Sequence, residues 1–179
     1  MQRFITLAFS ALLLLSLNAA TPETHYTVII SLDGFRWDYP DMYKTPNLDR
    51  MAADGVKAVM LPSYPASTFP NHYTLATGLV PDHHGIINNT FWDVKNRRQY
   101  SMGDSATRNN PEYYLGEPIW ITAQKQGVKT GNMYWVGSDI AIKKSHPTYY
   151  RPWNAKPFLT FEQRIDTVLT WLQKPEPER

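Results

Sequence analysis

The chain has 179 residues, a length that fits one modest domain. It contains no cysteine, which excludes a disulfide-stabilised scaffold and a thiolate metal site. The formal net charge of +2 is too close to neutrality to indicate binding to a nucleic-acid polymer or to a membrane surface.

The first twenty residues predict a secretory signal peptide. Arg3 gives a positively charged start, residues 4–17 are apolar, and small residues precede a cleavage point after Ala20. The apolar run is short for a membrane span. We therefore expect an exported protein, periplasmic or secreted, with no stable membrane span after cleavage and a folded part over residues 21–179. An uncleaved anchor is the alternative.

Two apolar runs flank a predicted helix in the first third of the chain. Residues 26–32 and 56–61 have the composition of strands that are buried on both faces of a parallel sheet. Between them, Thr45 and Pro46 open a helix that Gly55 ends. The crossover rule makes the two strands of such a unit parallel, so the predicted fold class is α/β.

Two polar side chains are predicted to meet at one edge of this sheet. Asp33 follows the first strand and Thr68 lies on the loop after the second, where open α/β sheets bind ligands. Pro70 and Gly78 mark the first turn and the end of a helix that begins at Thr68. A helix N-terminus favours anions, and a nucleophilic threonine beside a metal suits that setting. The alternatives are an N-capping threonine and an ordinary turn aspartate before Gly34.

The middle of the chain predicts a turn, a hairpin and a loop. We expect the histidines of the Asp82-His83-His84 turn to be solvated, with metal ligation as the alternative. Residues 86–93 and 97–100 predict a β-hairpin, and residues 101–114 carry no clear periodicity and predict a loop.

The last third predicts two helices and a strand. One helix begins near Glu117 and ends at Gly127, and a third strand covers residues 128–136. The last helix begins with a capping box at Thr160. Its apolar residues fall on one face that should cover a sheet: Phe161, Ile165, Val168, Leu169 and Leu172.

Five motifs occur in a recognisable order along the chain. They are Ile30-Ser31-Leu32-Asp33-Gly34-Phe35-Arg36, Thr68-Phe69-Pro70-Asn71-His72-Tyr73, His84-Gly85-Ile86-Ile87-Asn88-Asn89, Gly116-Glu117-Pro118-Ile119-Trp120 and Trp135-Val136-Gly137-Ser138-Asp139. With this order, the chain from about Tyr26 onward resembles the nucleotide pyrophosphatase/phosphodiesterase family of the alkaline phosphatase superfamily. The resemblance implies an alkaline-phosphatase-like parallel-sheet sandwich, incomplete at the C-terminus.

The resemblance also implies a site. Asp33 and Thr68 would both ligate one zinc of a pair of divalent ions, and Thr68 would be the nucleophile. The amide of Asn89 would donate to a phosphate oxygen, although hydrogen bonding within the hairpin is an equal alternative. Phe69 and Trp153 would sandwich a nucleobase, and Trp153 departs from the tyrosine common in the family; alone, either would be an ordinary packed aromatic. Arg108 lies near the position of a base- or sugar-contacting lysine in some relatives.

The implied activity is metal-dependent hydrolysis of phosphodiester or pyrophosphate bonds in nucleotides or related diesters through a phospho-threonine. The family's remaining aspartate and histidine ligands lie beyond the stretch that corresponds to the last helix. Because catalytic zinc normally takes three protein ligands, we expect the 179-residue chain to be inactive alone in an assay with zinc and p-nitrophenyl thymidine monophosphate. The alternatives are a phosphomonoesterase or phosphonate hydrolase of the same superfamily and an exported, non-catalytic nucleotide-binding remnant.

Overall fold

The computed structural model describes residues 25–179, so the predicted signal peptide at residues 1–20 lies outside the described residues. The chain divides into two units between Arg36 and Trp37, and the described part of the first unit is residues 25–36. The second unit contains, in chain order, α1 (Tyr39–Met42), α2 (Pro46–Asp54), α3 (Thr68–Thr77), α4 (Pro81–His84), β1 (Thr90–Asp93), β2 (Arg98–Ser101), α5 (Ser105–Arg108), a 3-10 turn (Pro111–Tyr113), α6 (Ile119–Lys125), β3 (Gly131–Met133), β4 (Tyr149–Arg151) and α7 (Phe161–Leu172).

The described part of the first unit has no helix or strand. The strand predicted over residues 26–32 is therefore wrong, and Val28, Ile29 and Ile30 are 56%, 61% and 75% exposed. Within this segment the chain reverses at Asp33 and Gly34, where the Phe35 N–H donates to the Leu32 carbonyl at 3.2 Å. Gly34 has φ +70 there, a conformation that side chains rarely adopt.

The strand predicted over residues 56–61 is also wrong, because no strand of the described residues pairs with this segment. An apolar run indicates the propensity for a buried strand, but the strand itself exists only when a neighbouring backbone pairs with it. Parallel pairing in the described residues is confined to three residues each of β3 and β4. The helix predicted between the two runs is confirmed as α2.

The core of the second unit is built on α3. Phe69, Tyr73 and Ala76 recur at intervals of four and three residues, so they lie on one face, and all three are buried. Gly78 ends the helix at φ 69 as predicted, since a left-handed C-cap suits glycine. The other buried apolar side chains come from the following segments: Ile86, Tyr100, Tyr113, Tyr114, Trp120, Ile121, Val136, Ile140 and Ile142.

The predicted hairpin is confirmed, with β1 and β2 antiparallel and Phe91 opposite Tyr100. The predicted loop at residues 101–114 is wrong, because it contains α5 and the 3-10 turn. Local side-chain bonds explain the difference: the Asp104 side chain caps α5 by accepting from the Ala106 N–H at 2.9 Å, and the Thr107 hydroxyl donates to the Ser101 carbonyl at 3.1 Å.

The last third has shorter strands and the expected helices. The strand predicted over residues 128–136 is only β3, because Tyr134 turns the chain with φ 55. The capping box of α7 is confirmed, but its predicted inner face is only partly covered: Val168 and Leu172 are half-buried, whereas Phe161, Ile165 and Leu169 are 72%, 59% and 46% exposed. The Trp171 ring packs on Gly131 instead. No helix among residues 25–179 combines the length and apolar character of a membrane span.

Candidate active site at the start of helix α3

Thr68 is the first residue of α3, as the sequence predicts. Ser67 has the extended conformation of an N-cap residue, so the interpretation of Thr68 as the N-cap is wrong. The Thr68 side chain is half-buried. It lies in the first turn of a ten-residue helix, where the backbone N–H groups and the helix dipole favour negative charge.

Asn71 holds the proline-rich loop that leads into α3. Its Oδ1 accepts from the Ser63 N–H at 2.8 Å, and its Nδ2 lies 2.9 Å from the Pro65 carbonyl and 3.1 Å from the Ser67 carbonyl. Asn71 lies within one of the five motifs, but the sequence predicted no role for it. The residue type was the available signal for this role, because asparagine is a weak helix former that favours hydrogen bonds to nearby backbone groups.

Asn88 and Asn89 complete the N-terminus of α3 from the segment that enters the hairpin. The Ser67 hydroxyl donates to Asn88 Oδ1 at 3.1 Å, and the Phe69 N–H donates to Asn89 Oδ1 at 2.9 Å. A helix N–H that is normally capped locally is thus capped from twenty positions away. Because Oδ1 of Asn89 takes this bond, its Nδ2 donors point away from the Phe69 N–H.

The hairpin fixes the backbone of Asn89 in turn. The Met102 N–H donates to the Asn89 carbonyl at 2.9 Å, which extends the pairing of β1 and β2 by one step. Hydrogen bonding within the hairpin, the predicted alternative for Asn89, is made by its backbone carbonyl, whereas its side-chain Oδ1 bonds to α3.

Phe69 and Trp153 lie in direct contact. Their ring centroids are 5.2 Å apart and the ring planes are nearly perpendicular at 89°, a favourable edge-to-face arrangement. Phe69 is 1% exposed, whereas Trp153 is half-buried. A base sandwiched between two rings needs them parallel with a gap between, so a nucleobase could enter only if the Trp153 ring moved.

His84 lies in a position that differs from the one that the sequence predicts. It was expected to be solvated, but it is fully buried, while its neighbour His83 is exposed. Its Nδ1 accepts from the Ile86 N–H at 3.2 Å, so Nε2 carries the proton and donates towards the Pro70 carbonyl at 3.1 Å. Nε2 also lies 3.0 Å from the Thr74 hydroxyl. His84 therefore fastens α4 to the first half of α3.

The ionisation of His84 makes the fold sensitive to acid. Burial lowers the pKa of His84 below its ordinary 6.5, against weaker opposing contributions from its hydrogen bonds and from Asp82. Below pH 6.5 the unfolded chain takes up a proton that the folded chain does not, so the free energy of unfolding falls as the pH falls, by up to about 1.4 kcal/mol per unit. The loss ends once the pH passes the folded-state pKa. Urea titrations from pH 7.5 to 5 should show this slope, and His84→Gln should remove it; an equal slope in both proteins would contradict the assignment.

Asp33 lies in the first unit and Thr68 in the second. The two parallel strands that would bring them to one sheet edge are not formed in the described residues, so that geometric argument is lost. Among residues 25–179, no group of three or more histidine, cysteine, aspartate or glutamate side chains could hold a metal ion. Since catalytic zinc takes three protein ligands, the described residues do not fit a zinc site by themselves, and shared ligation by Asp33 and Thr68 stays a prediction.

Arg108 is buried at 3% exposure. Its Nη1 donates to the Met102 carbonyl at 2.8 Å, and its Nε donates to Asn109 Oδ1 at 3.2 Å. These contacts explain Arg108 as a support for the segment after β2, which is the segment that pairs with Asn89.

The architecture is similar to that of solved phosphodiesterases. Murine ectonucleotide pyrophosphatase/phosphodiesterase 5 superposes with a TM-score of 0.72 at 35% identity, over 81% of this chain and 39% of that one. An inactive threonine-to-alanine variant of the murine protein in complex with AMP gives a TM-score of 0.74 over 82% of this chain and 39% of that one. These matches confirm the predicted α/β, alkaline-phosphatase-like fold class of a hydrolase family.

The family itself is established by sequence. The model of type I phosphodiesterases/nucleotide pyrophosphatases matches residues 27–179, and the chain belongs to that family. It is 43% identical to the bovine (Bos taurus) family member 3 and 44% identical to the human family member 1 of the ectonucleotide pyrophosphatases/phosphodiesterases, over 85% and 88% of its length. Venom phosphodiesterase 2 of Crotalus adamanteus is 40% identical over 85%. The chain spans 17–19% of the length of these three relatives.

Proposed function

We propose that this chain contributes the nucleophile end of a site that hydrolyses phosphodiester or pyrophosphate bonds of nucleotides. The observation that carries the proposal is the start of α3, where Thr68 opens the helix and Asn89 caps it through the Phe69 N–H at 2.9 Å. Family membership supports the reaction class. AMP bound to the inactive threonine-to-alanine variant of the murine relative supports a nucleotide substrate.

Thr68 is assigned the nucleophile. Its Oγ1 would attack phosphorus and expel an alcohol or nucleotide, forming a phospho-threonine that water then hydrolyses. The N-terminus of α3 favours the negative charge of the phosphoryl group, and the Nδ2 donors of Asn89 would bind its equatorial oxygens. The loss of activity that accompanies a threonine-to-alanine change in the murine relative supports a threonine in this role.

Two divalent ions, which we assign as zinc, would complete the site. Asp33 and Thr68 are the ligands that this chain would offer, and residues 25–179 contain no group of three or more histidine, cysteine, aspartate or glutamate side chains that could hold an ion by themselves. The protein would act outside the cytoplasm, in a periplasm or in the medium. The names of the bovine and human relatives, which describe ectoenzymes, support export.

Two alternatives make different predictions for substrate preference. A phosphomonoesterase or phosphonate hydrolase would not prefer p-nitrophenyl thymidine monophosphate over p-nitrophenyl phosphate, whereas a nucleotide phosphodiesterase would. A non-catalytic binder would take up nucleotide without zinc in calorimetry. Trp153→Ala is the better probe of base stacking than Phe69→Ala, because Phe69 is 1% exposed and its removal would leave a core cavity.

Substitutions of Asn89 can separate its hydrogen bond with the Phe69 N–H from its proposed hydrogen bond to the phosphate. In a form of the protein whose metal ligand set is complete, Asn89→Ala should lower diester turnover roughly 10²–10³-fold, because one donor to the transition state is lost. Asn89→Asp keeps an oxygen acceptor for the Phe69 N–H, so the helix stays capped, but it replaces the donor by a negative charge. We expect Asn89→Asp to be at least as inactive as Asn89→Ala in steady-state kinetics while unfolding at the wild-type urea concentration. Near-wild-type turnover of Asn89→Asp would exclude Asn89 as a phosphate donor.

A further inference from the structure

We infer that Asp139 is a positioning residue for the nucleobase: its carboxylate holds the backbone of Trp153 beside Phe69 while leaving the indole ring able to move. The inference rests on the proposed function only for what Trp153 would contact. The anchoring itself rests on the hydrogen bond from the Trp153 N–H to Asp139 Oδ2 at 3.3 Å.

The end of the parallel pair explains why an anchor is needed there. The Tyr149 N–H donates to the Thr130 carbonyl at 3.0 Å, and the Tyr134 N–H donates to the Arg151 carbonyl at 3.1 Å. The same alternation along a parallel ladder would bring the N–H of Trp153 to the carbonyl of Tyr134. Tyr134 instead turns the chain at φ 55, and the Trp153 N–H bonds to Asp139. The carboxylate thus replaces the backbone acceptor that the strand would have supplied.

Asp139 is itself fixed to α3. It lies in a pair of overlapping tight turns, in which the Ser138 hydroxyl donates to the Trp135 carbonyl at 2.8 Å. The Trp135 indole N–H donates to the His72 carbonyl of α3 at 3.1 Å, and Gly137 lies against the Tyr73 ring, where an added Cβ would be 3.3 Å from a ring carbon. The turn therefore connects the helix that carries Thr68 to the backbone of Trp153.

Asp139 is half-buried, with charged groups nearby. Burial raises the pKa of Asp139, and bonds from backbone N–H groups and the nearby charges of Arg108 and His146 oppose that rise. The bond to Trp153 is made to the main chain, so it constrains the position of the residue and not its χ angles. A ring that must leave its 5.2 Å contact with Phe69 to admit a base needs this combination of a fixed backbone and a mobile side chain.

Hydrogen exchange of the Trp153 amide tests the anchor directly. The 179-residue chain is labelled with [¹⁵N]tryptophan, and Trp153→Phe assigns the Trp153 signals. Asp139→Ala should accelerate exchange of the Trp153 amide roughly 10-fold or more, because the amide loses its acceptor. Asp139→Asn retains an acceptor oxygen and should restore slow exchange. Asp166→Ala, the same change at an exposed aspartate of α7, should have no effect.

The amides of Trp92 in β1 and Trp171 in α7 report on folding in the same spectra. If Asp139→Ala also accelerates hydrogen exchange of these two amides, the substitution has disturbed the fold. The experiment is then repeated with Asp139→Leu, which keeps the side-chain volume but has no hydrogen-bond acceptor. Unchanged exchange of the Trp153 amide in the folded Ala or Leu variant would overturn the inference.

AMP serves as the probe for the role in binding. In a form of the protein whose metal ligand set is complete, through its own chain or through fusion to the matching part of a relative, AMP should shift the Trp153 indole signal of the wild type. Asp139→Ala should weaken that binding roughly 10-fold, as expected for one lost hydrogen bond. Faster amide exchange in Asp139→Ala together with no AMP-induced shift in the wild type would support the anchor and contradict the nucleotide contact. Equal AMP affinity of wild type and Asp139→Ala would overturn the positioning role.

Discussion

Thr68→Ala should reduce hydrolysis of p-nitrophenyl thymidine monophosphate by a factor on the order of 10⁴, since removal of a covalent nucleophile leaves only binding and electrostatic contributions. The assay needs a form of the protein in which the metal ligand set is complete, through its own chain or through fusion to the matching part of a relative. Thr68 is the first residue of α3, where alanine is well tolerated, so the variant should fold normally.

Two further variants separate loss of the nucleophile from loss of structure. Thr68→Ser keeps a hydroxyl and should retain measurable turnover. Thr167→Ala makes the same substitution on α7, where the hydroxyl donates only to the Gln163 carbonyl of its own helix at 2.7 Å, and it should have wild-type kinetics. Rapid quench should trap a phosphorylated chain in the wild type and none in Thr68→Ala. Turnover of Thr68→Ala within tenfold of wild type would remove Thr68 from the mechanism.

The elements that the sequence predicted correctly are those with local signals. Pro70 lies in the first turn of α3 and Gly78 ends the helix, because each residue type favours the backbone conformation found at its own position. The capping box of α7 uses side chains three positions apart, Thr160 and Gln163. The turn of the hairpin is likewise local, with Asp93 Oδ1 accepting from the Lys95 N–H at 3.0 Å.

The features that sequence reasoning missed depend on distant parts of the chain. Residues 26–32 are apolar enough for a buried strand, but pairing needs a neighbouring backbone, and none of the described strands supplies it. Asn89 caps an N–H of α3 from twenty positions away, which no local pattern reveals. His84 has the sequence neighbourhood of a solvated turn, and only the packing of α4 against α3 buries it.

The predicted residues of the candidate site also differ in whether their placement depends on local or on distant parts of the chain. Thr68 was placed by local signals and Asn89 by a motif, and the structure brings both to the same helix end. Asp33 was placed beside Thr68 by a predicted sheet that the described residues do not form. The difference shows why a site predicted from strand order is less secure than one predicted from a helix terminus: the helix terminus needs about one turn of chain, and the sheet edge needs several strands.

His84→Ala should lower the free energy of unfolding by about 3 kcal/mol, because it combines a buried cavity with lost hydrogen bonds. The ring is fully buried, and its removal leaves the Ile86 N–H and the Thr74 hydroxyl without their partner. It also removes an edge-to-face contact with Tyr73 at 5.0 Å. Urea denaturation followed by circular dichroism measures the change.

The adjacent histidine provides the matched control. The His83 side chain is 68% exposed and lies 3.9 Å from the Asp82 carboxylate, a surface pair that contributes little, so His83→Ala should change the free energy of unfolding by less than about 0.5 kcal/mol. Equal effects of the two substitutions would show that the ring of His84 does not fasten α4 to α3. Because the Pro70 carbonyl that His84 contacts lies two residues after Thr68, His84→Ala should also loosen the start of α3, and faster amide exchange in its first two turns should accompany the lost stability.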